Sequence, residues 1–180
     1  KRMDAVNILM IGGKRCGKTT VLASMCNGIS KALAGTGMGI AVANEQTKND
    51  LSRAVENITK KINVFNRPLK RVEVDDNPTS AQKTYMFNIQ MSSGKKIPFQ
   101  IHDIPGEWLV DNHQEQVKNL VRISQIIMIA IDTPYLMAKM MADKGCGMYH
   151  EEYNKPMEIA NFFKNSLTVD DLSGRLVLFV

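Results

Sequence analysis

One stretch constrains the fold of this chain more than any other: Gly12-Gly-Lys-Arg-Cys-Gly-Lys-Thr-Thr20. Gly12, Gly17, Lys18 and Thr19 fill the pattern G-x-x-x-x-G-K-[ST], a phosphate-binding loop. Such a loop needs a strand before it and a helix after it. Asn7-Ile-Leu-Met-Ile11 reads as a short buried strand, and Val21 to Leu33 suits a helix. The spacing has a chemical reason. Glycines let the backbone curl so that its N–H groups, from Gly13, Lys14, Arg15 and Cys16 onward, aim inward at phosphate oxygens. The helix N-terminus adds unpaired donors and a partial positive charge. Lys18 is placed to reach the β- and γ-phosphates, the Thr19 hydroxyl to ligate Mg²⁺, and Thr20 to lie near the α-phosphate. The plainer alternative is a glycine turn with a surface lysine.

Composition limits what surrounds this loop. A length of 180 residues suits one domain, 1–180, with a full core, and 44% hydrophobic and 23% charged residues are ordinary for a globular protein. The net charge of +5 is modest, and Lys14, Arg15 and Lys18 supply part of it, so no nucleic-acid or membrane-surface role is demanded. Cys16, Cys26 and Cys146 are scattered, without C-x-x-C or metal-ligand spacing. This argues against a disulfide framework or zinc site and suits a reducing cytoplasm. The longest apolar run, Ile126 to Ile131, is too short to span a bilayer. Asn57-Ile-Thr59 matches a glycosylation sequon, read here as chance because no signal peptide precedes it. The chain opens on Lys1 and closes on Val180 inside an apolar run, so both ends read as cut.

Beyond the first helix, Gly35-Thr-Gly-Met-Gly39 fails the dinucleotide fingerprint and reads as a flexible loop. Asn49 or Asp50 is the expected cap of a helix that carries Leu51, Val55, Ile58, Ile62 and Phe65 at helical spacing. Its other face, with Arg53, Lys60 and Lys61, reads as solvated. After the turn-rich Asp75 to Ser80, Thr84 to Met91 alternates as a strand, Ser92 to Lys95 turns it, and Ile97 to Asp103 returns. Ile104 to Trp108 is a loop, and His113 to Ile123 an amphipathic helix with Val117, Leu120 and Val121 inward. Gln125 to Ile131 is a buried strand, Leu136 to Ala142 a short helix, Glu151 to Leu167 a longer one with Ile159, Phe162 and Phe163 inward, and Leu176 to Val180 the last strand. The methionines at 137, 140, 141 and 148 read as packing rather than a peptide-binding groove. Strands alternating with helices predict a three-layer α/β fold: a mostly parallel sheet with one antiparallel edge strand.

The second half of the candidate site is His102-Asp103-Ile104-Pro105-Gly106-Glu107. Asp103 ends an apolar strand, where a phosphate-loop protein places an Asp that holds Mg²⁺ through a water. Gly106 can offer its N–H to a γ-phosphate. With these residues the chain resembles the Ras-like and translation-factor branch of the P-loop GTPases, over nearly its whole length. Asp103-Ile-Pro-Gly106 looks like that family's third motif. Pro78-Thr79, Tyr85-x-Phe87 and Pro105-Gly106-Glu107-Trp108 look most like bacterial double-GTPase proteins. The resemblance implies GTP and GDP as ligands, with Mg²⁺ as cofactor. It makes Thr79, with Ser80 second, the switch threonine that closes on Mg²⁺. It also makes 72–83 and 103–113 nucleotide-sensing segments, and a protein effector or activator the expected partner.

Two departures stand out. The guanine-reading motif N/T-K-x-D is expected after the strand ending at Val180, and Asn154-Lys-Pro-Met157 lacks its aspartate. Glu107 stands where Ras-like proteins carry a water-orienting Gln, so hydrolysis is expected to be slow or to need a partner's arginine. Two other functions compete: an ATP-using P-loop kinase or ATPase, and a module that binds nucleotide without hydrolysing it. His102 faces away from Asp103 on its strand and reads as packing, His113 reads as a helix start, His150 has no placement, and a redox role for Cys16 is the lesser reading.

Overall fold

The structure is a computed structural model, and it describes residues 5–13, 16–64, 81–131 and 156–180, with the side chains of 27 and 57–64 set aside. Its strands are β1 (Val6–Gly12), β2 (Gly39–Val42), β3 (Lys83–Gln90), β4 (Lys96–Asp103), β5 (Ile126–Ala130) and β6 (Leu176–Phe179). Its helices are α1 (Lys18–Ala32), α2 (Glu45–Val64), α3 (Gln114–Ile123), α4 (Pro156–Ser166) and α5 (Val169–Leu172), with a 3₁₀ helix at Gly106–Leu109. The six strands form one mixed sheet in the order β2-β3-β4-β1-β5-β6. β1 with β5 and β5 with β6 are parallel, whereas β2 with β3 is antiparallel. The α/β class follows the sequence reading. The edge does not: β3, the strand that runs against its neighbours, is flanked by β2, so the edge strand is Gly39–Val42, and the Gly35 to Gly39 loop ends in a strand.

The chain divides into two compact units. One comprises Lys1–Val6, Thr19–Asn77 and Thr84–Gln100. Here α2 begins at Glu45, ahead of both expected caps, Asn49 and Asp50. Asn44 does the capping: its Oδ1 accepts the Thr47 amide at 2.8 Å. Thr47, almost fully buried, in turn accepts the Met86 amide through Oγ1 at 2.9 Å, which ties the helix to β3. Of the apolar positions on α2, Leu51 is buried while Val55 is exposed; Ile58, Ile62 and Phe65 lie outside the described side chains. β3 and β4 form the expected hairpin, closed by the Met91 amide donating to the Lys95 carbonyl at 2.8 Å. Phe87 and Phe99 stack across it with ring centroids 4.8 Å apart.

The other unit comprises Asn7–Lys18, Pro78–Lys83 and Ile101–Val180. Its core joins Leu9 and Ile11 of β1, Ile127 and Ile129 of β5, Val117, Leu120 and Val121 of α3, and Ile159 and Phe162 of α4. Met10 and Met128, on the alternate positions of their strands, are also buried, as expected for central parallel strands covered on both faces. The α3 pattern is as expected. At its C-terminal end Arg175 donates to the Val121 and Arg122 carbonyls at 2.8 and 2.5 Å, and Val121 also accepts the Ser124 amide at 3.2 Å. Arg122 pairs with Asp171 at 2.7 Å, inside a capping box in which Thr168 starts the short helix α5. Residues 132–155, with the short helix expected at 136–142 and the four methionines, lie outside the described residues, as do 65–80.

Candidate functional site

β1 stops at Gly12 and α1 starts at Lys18, so the glycine loop sits in the strand-to-helix turn its pattern requires. Two of its glycines are needed for different reasons. A β-carbon on Gly12 would lie 2.6 Å from Cys16 Sγ and 2.9 Å from the Ala130 carbonyl oxygen, so only glycine fits against β5. Gly17 has open space around it but a φ of +84°, in the left-handed region that disfavours side chains. Gly13 and Cys16 are buried between them, and the Cys16 amide points to the Gly13 carbonyl at 3.5 Å. Lys14 and Arg15 lie outside the described residues.

Lys18 is the centre of the loop. Its ammonium donates to the carbonyls of Gly12 and Gly13 at 3.0 and 2.9 Å, and the residue is 6% exposed. Both acceptors are neutral, and among the described residues no carboxylate pairs with it. Burying an ammonium carries a desolvation cost that carbonyl dipoles only partly offset, and an anion entering the loop would meet it. Thr19 is partly exposed and Thr20 exposed on α1; both belong to the first unit. Thr79 lies outside the described residues, so 72–83 is described only from residue 81.

Asp103 ends β4 with no exposed surface, a position that withdraws its carboxylate from bulk water. His102 fits its packing reading. It is nearly buried, its Nε2 lies 3.1 Å from Asn7 Oδ1, and burial pushes its pKa down. Gly106 is buried and opens the 3₁₀ helix, where a plain loop was expected. Glu107 follows it, partly exposed, with its carbonyl accepting the Val110 amide at 3.1 Å. Among the described residues no three His, Cys, Asp or Glu side chains gather to hold a metal by themselves.

The same segment holds a cluster that residue patterns did not reveal. The Trp108 and His113 rings stack with centroids 4.6 Å apart and planes 4° from parallel. His113, the residue that caps α3, approaches Asp111 Oδ1 with both its amide and Nδ1, each at 2.8 Å. Burial pushes the Asp111 carboxyl up, but the hydrogen bonds and charge of His113 outweigh it and hold the carboxyl below its usual range. Gln114 Nε2 donates to the Leu109 carbonyl at 2.7 Å. Beside these residues lies a cavity of about 200 Å³, lined by Leu109, Val110, Gln114, Glu158 and Phe162 among others.

A scan against models of known families finds no match for this chain, and a search of curated proteins finds none either. No described helix is long and apolar enough to cross a membrane.

Proposed function

We propose that the chain binds GTP with Mg²⁺ and hydrolyses it to GDP and phosphate as a slow or partner-stimulated switch. One observation carries most of this reading: a buried ammonium, Lys18, held by two neutral carbonyls inside a glycine loop at the N-terminus of a fifteen-residue helix. The loop amides, the helix dipole and Lys18 together favour a polyphosphate. The choice of guanine rests on the likeness of Asp103-Ile-Pro-Gly106 to the GTPase motif, not on any base contact.

In this reading Lys18 swings from the carbonyls to the β- and γ-phosphates, and the amides of 13 and 16–18 hold their oxygens. Asp103, Thr19 and Thr79 are the residues that would hold Mg²⁺, which when bound neutralises charge on the transferred phosphoryl group. Gly106 donates its amide to the γ-phosphate. Glu107 orients the attacking water, and its carboxylate faces a triphosphate of the same sign, so turnover is slow without a partner's cation.

Calorimetry of GTP, GDP and ATP with the wild type and with Lys18→Ala tests the proposal. Mg·GTP is expected to bind the wild type in preference to ATP. Lys18→Ala is expected to weaken it at least tenfold, about 1.4 kcal/mol. Unchanged affinity in a folded Lys18→Ala variant overturns the site, and equal affinity for ATP overturns the guanine assignment.

A further inference from the structure

The cavity beside the 3₁₀ helix has Leu109, Val110 and Gln114 on one side and α4 on the other, all within one compact unit. Its walls are of two kinds. Leu109 and Phe162 are buried members of the core, and Val110, 49% exposed, carries their apolar surface outward. Glu158, Asn161 and Asn165 stand at positions i, i+3 and i+7 of α4, on one face of the helix, and bring a carboxylate and two carboxamides to the rim. Gln114 adds a third carboxamide. Its Nε2 is tied to the Leu109 carbonyl at 2.7 Å, so its Oε1 remains an acceptor.

Charge narrows what this groove can take. Among the described residues Glu158 forms no ion pair. Residues 103–117 carry Asp103, Glu107, Asp111 and Glu115 without one lysine or arginine. The bases that follow, Lys118 and Arg122, both approach Glu115, at 3.5 and 3.9 Å. Lys164, the base in the last turn of α4, does not line the cavity. The groove therefore offers negative charge and carbonyl-type acceptors to whatever enters it.

Size narrows it further. A volume of about 200 Å³ is below the roughly 300–1,000 Å³ of sites that enclose a whole small molecule, and it has room for one long side chain. Such a side chain needs an apolar stem to lie on Leu109, Val110 and Phe162, and a cationic head with several donors for Glu158 and the carboxamide oxygens. Arginine combines the two: its methylenes cover apolar surface while a planar guanidinium presents its donors as a fork that matches a carboxylate.

We propose that this groove is an anchor site for an arginine side chain of a basic protein partner. Arginine is among the residues that most often carry the energy of an interface when seated in a pocket. This one anchors the partner on Glu158 and the carboxamides, and it is not the cation that would face a triphosphate. The site stands on the groove itself. Its consequence, that the partner braces the 3₁₀ helix carrying Gly106 and Glu107, rests on the function proposed above.

The test uses the full chain without nucleotide, so its failure is separate from failure of nucleotide binding. The probe is N-acetyl-arginine-N-methylamide, titrated while NMR follows the backbone amides of 109–114 and 158–166 and the side-chain amides of Gln114, Asn161 and Asn165. Saturable shifts centred on these groups are expected. The citrulline analogue, of the same length with a neutral head, is expected to bind about fivefold more weakly, and the leucine analogue not to saturate. Glu158→Gln is expected to weaken the arginine probe about fivefold, the size of one exposed ion pair. Asn161→Lys, at an exposed position that tolerates a longer side chain, is expected to abolish saturation. A wild type without saturable shifts overturns the site. So does a citrulline or leucine analogue that binds as tightly as the arginine probe, or a folded Glu158→Gln variant with unchanged affinity.

Discussion

The sharpest structural test of the glycine loop is Gly12→Ala. A methyl group there would sit 2.6 Å from Cys16 Sγ, 2.9 Å from the Ala130 carbonyl oxygen and 3.1 Å from Ala130 Cβ. The first clash can be relieved by turning one thiol. The second cannot, because the oxygen belongs to the backbone of β5 at the position paired with Gly12 in the parallel ladder. Either that pairing opens or the loop moves. Forcing one extra methyl into a close-packed site costs about 1–3 kcal/mol. A chain this long shifts its melting temperature by roughly 2–4 °C per kcal/mol, so a loss of about 2–12 °C is expected. Cys16→Ala in the same chain removes the thiol clash alone, so the double variant should recover part of the loss and no more. Thermal melts followed by circular dichroism measure this, with nucleotide affinity read in parallel. Gly17→Ala is the control. Nothing lies within 4 Å of its added methyl, so its penalty comes from the left-handed backbone, about 1 kcal/mol, and Cys16→Ala should not change it. A Gly12→Ala protein as stable as the wild type, or one fully rescued by Cys16→Ala, would refute the packing argument.

Two further outcomes concern pH. The side-chain bond from Arg122, with those from Thr168, holds the Asp171 carboxyl well below the usual carboxylate range. Its folded pKa is depressed, so this stabilisation is present above the unfolded value of about 3.9 and is lost as pH falls through the folded one. Arg122→Gln should therefore lower stability at pH 7 and flatten its decline below pH 4 in urea titrations; an unaltered acid limb would count against the pair. For His102 the sign is reversed in charge: burial depresses the pKa of a base, so the fold prefers the neutral ring. Stability is full above about pH 6.5 and declines below it, as the unfolded chain takes up the proton first. His102→Gln keeps an amide donor for Asn7 Oδ1 without titrating, so its melting temperature should change less between pH 7.5 and 5.5 than that of the wild type; an equal change would place the titration elsewhere.

What could be read from the sequence follows from how local each cause is. The loop, the α3 face with Val117, Leu120 and Val121, and the β3–β4 hairpin rest on patterns within a few residues, and the structure contains each of them. β2 does not: Gly39-Ile-Ala-Val42 has no alternation to announce it, and it is a strand because Ile40 and Val42 pair with Ile89 and Phe87, some fifty positions on. For a related reason, the α2 start lies ahead of the caps that the sequence suggests. Asn44, Asn49 and Asp50 are all good caps by type, and the choice among them is made by Thr47, whose hydroxyl is committed to β3. The stack of Trp108 on His113 had no signal at all, since a spacing of five across a turn belongs to neither helical nor strand periodicity.

The glycine loop shows the same division inside one motif. Its regular expression asks for Gly12 and Gly17 alike, yet the two are interchangeable only on paper. Gly17 is required by its own backbone angle, a local cause visible wherever a chain must turn into a helix. Gly12 is required by Ala130, a residue 118 positions away, and by Cys16, which no form of the pattern specifies. Lys18 depends on both. Its ammonium reaches the carbonyls of Gly12 and Gly13 because Gly12 lets β1 lie flush with β5 while Gly17 bends the chain back over the strand end. A chance match to the pattern would supply the glycines and the lysine without that long-range fit. The packing of Gly12 against β5 is therefore the feature that separates a loop built into this sheet from a glycine turn with a surface lysine, and it is the one the Gly12→Ala experiment addresses.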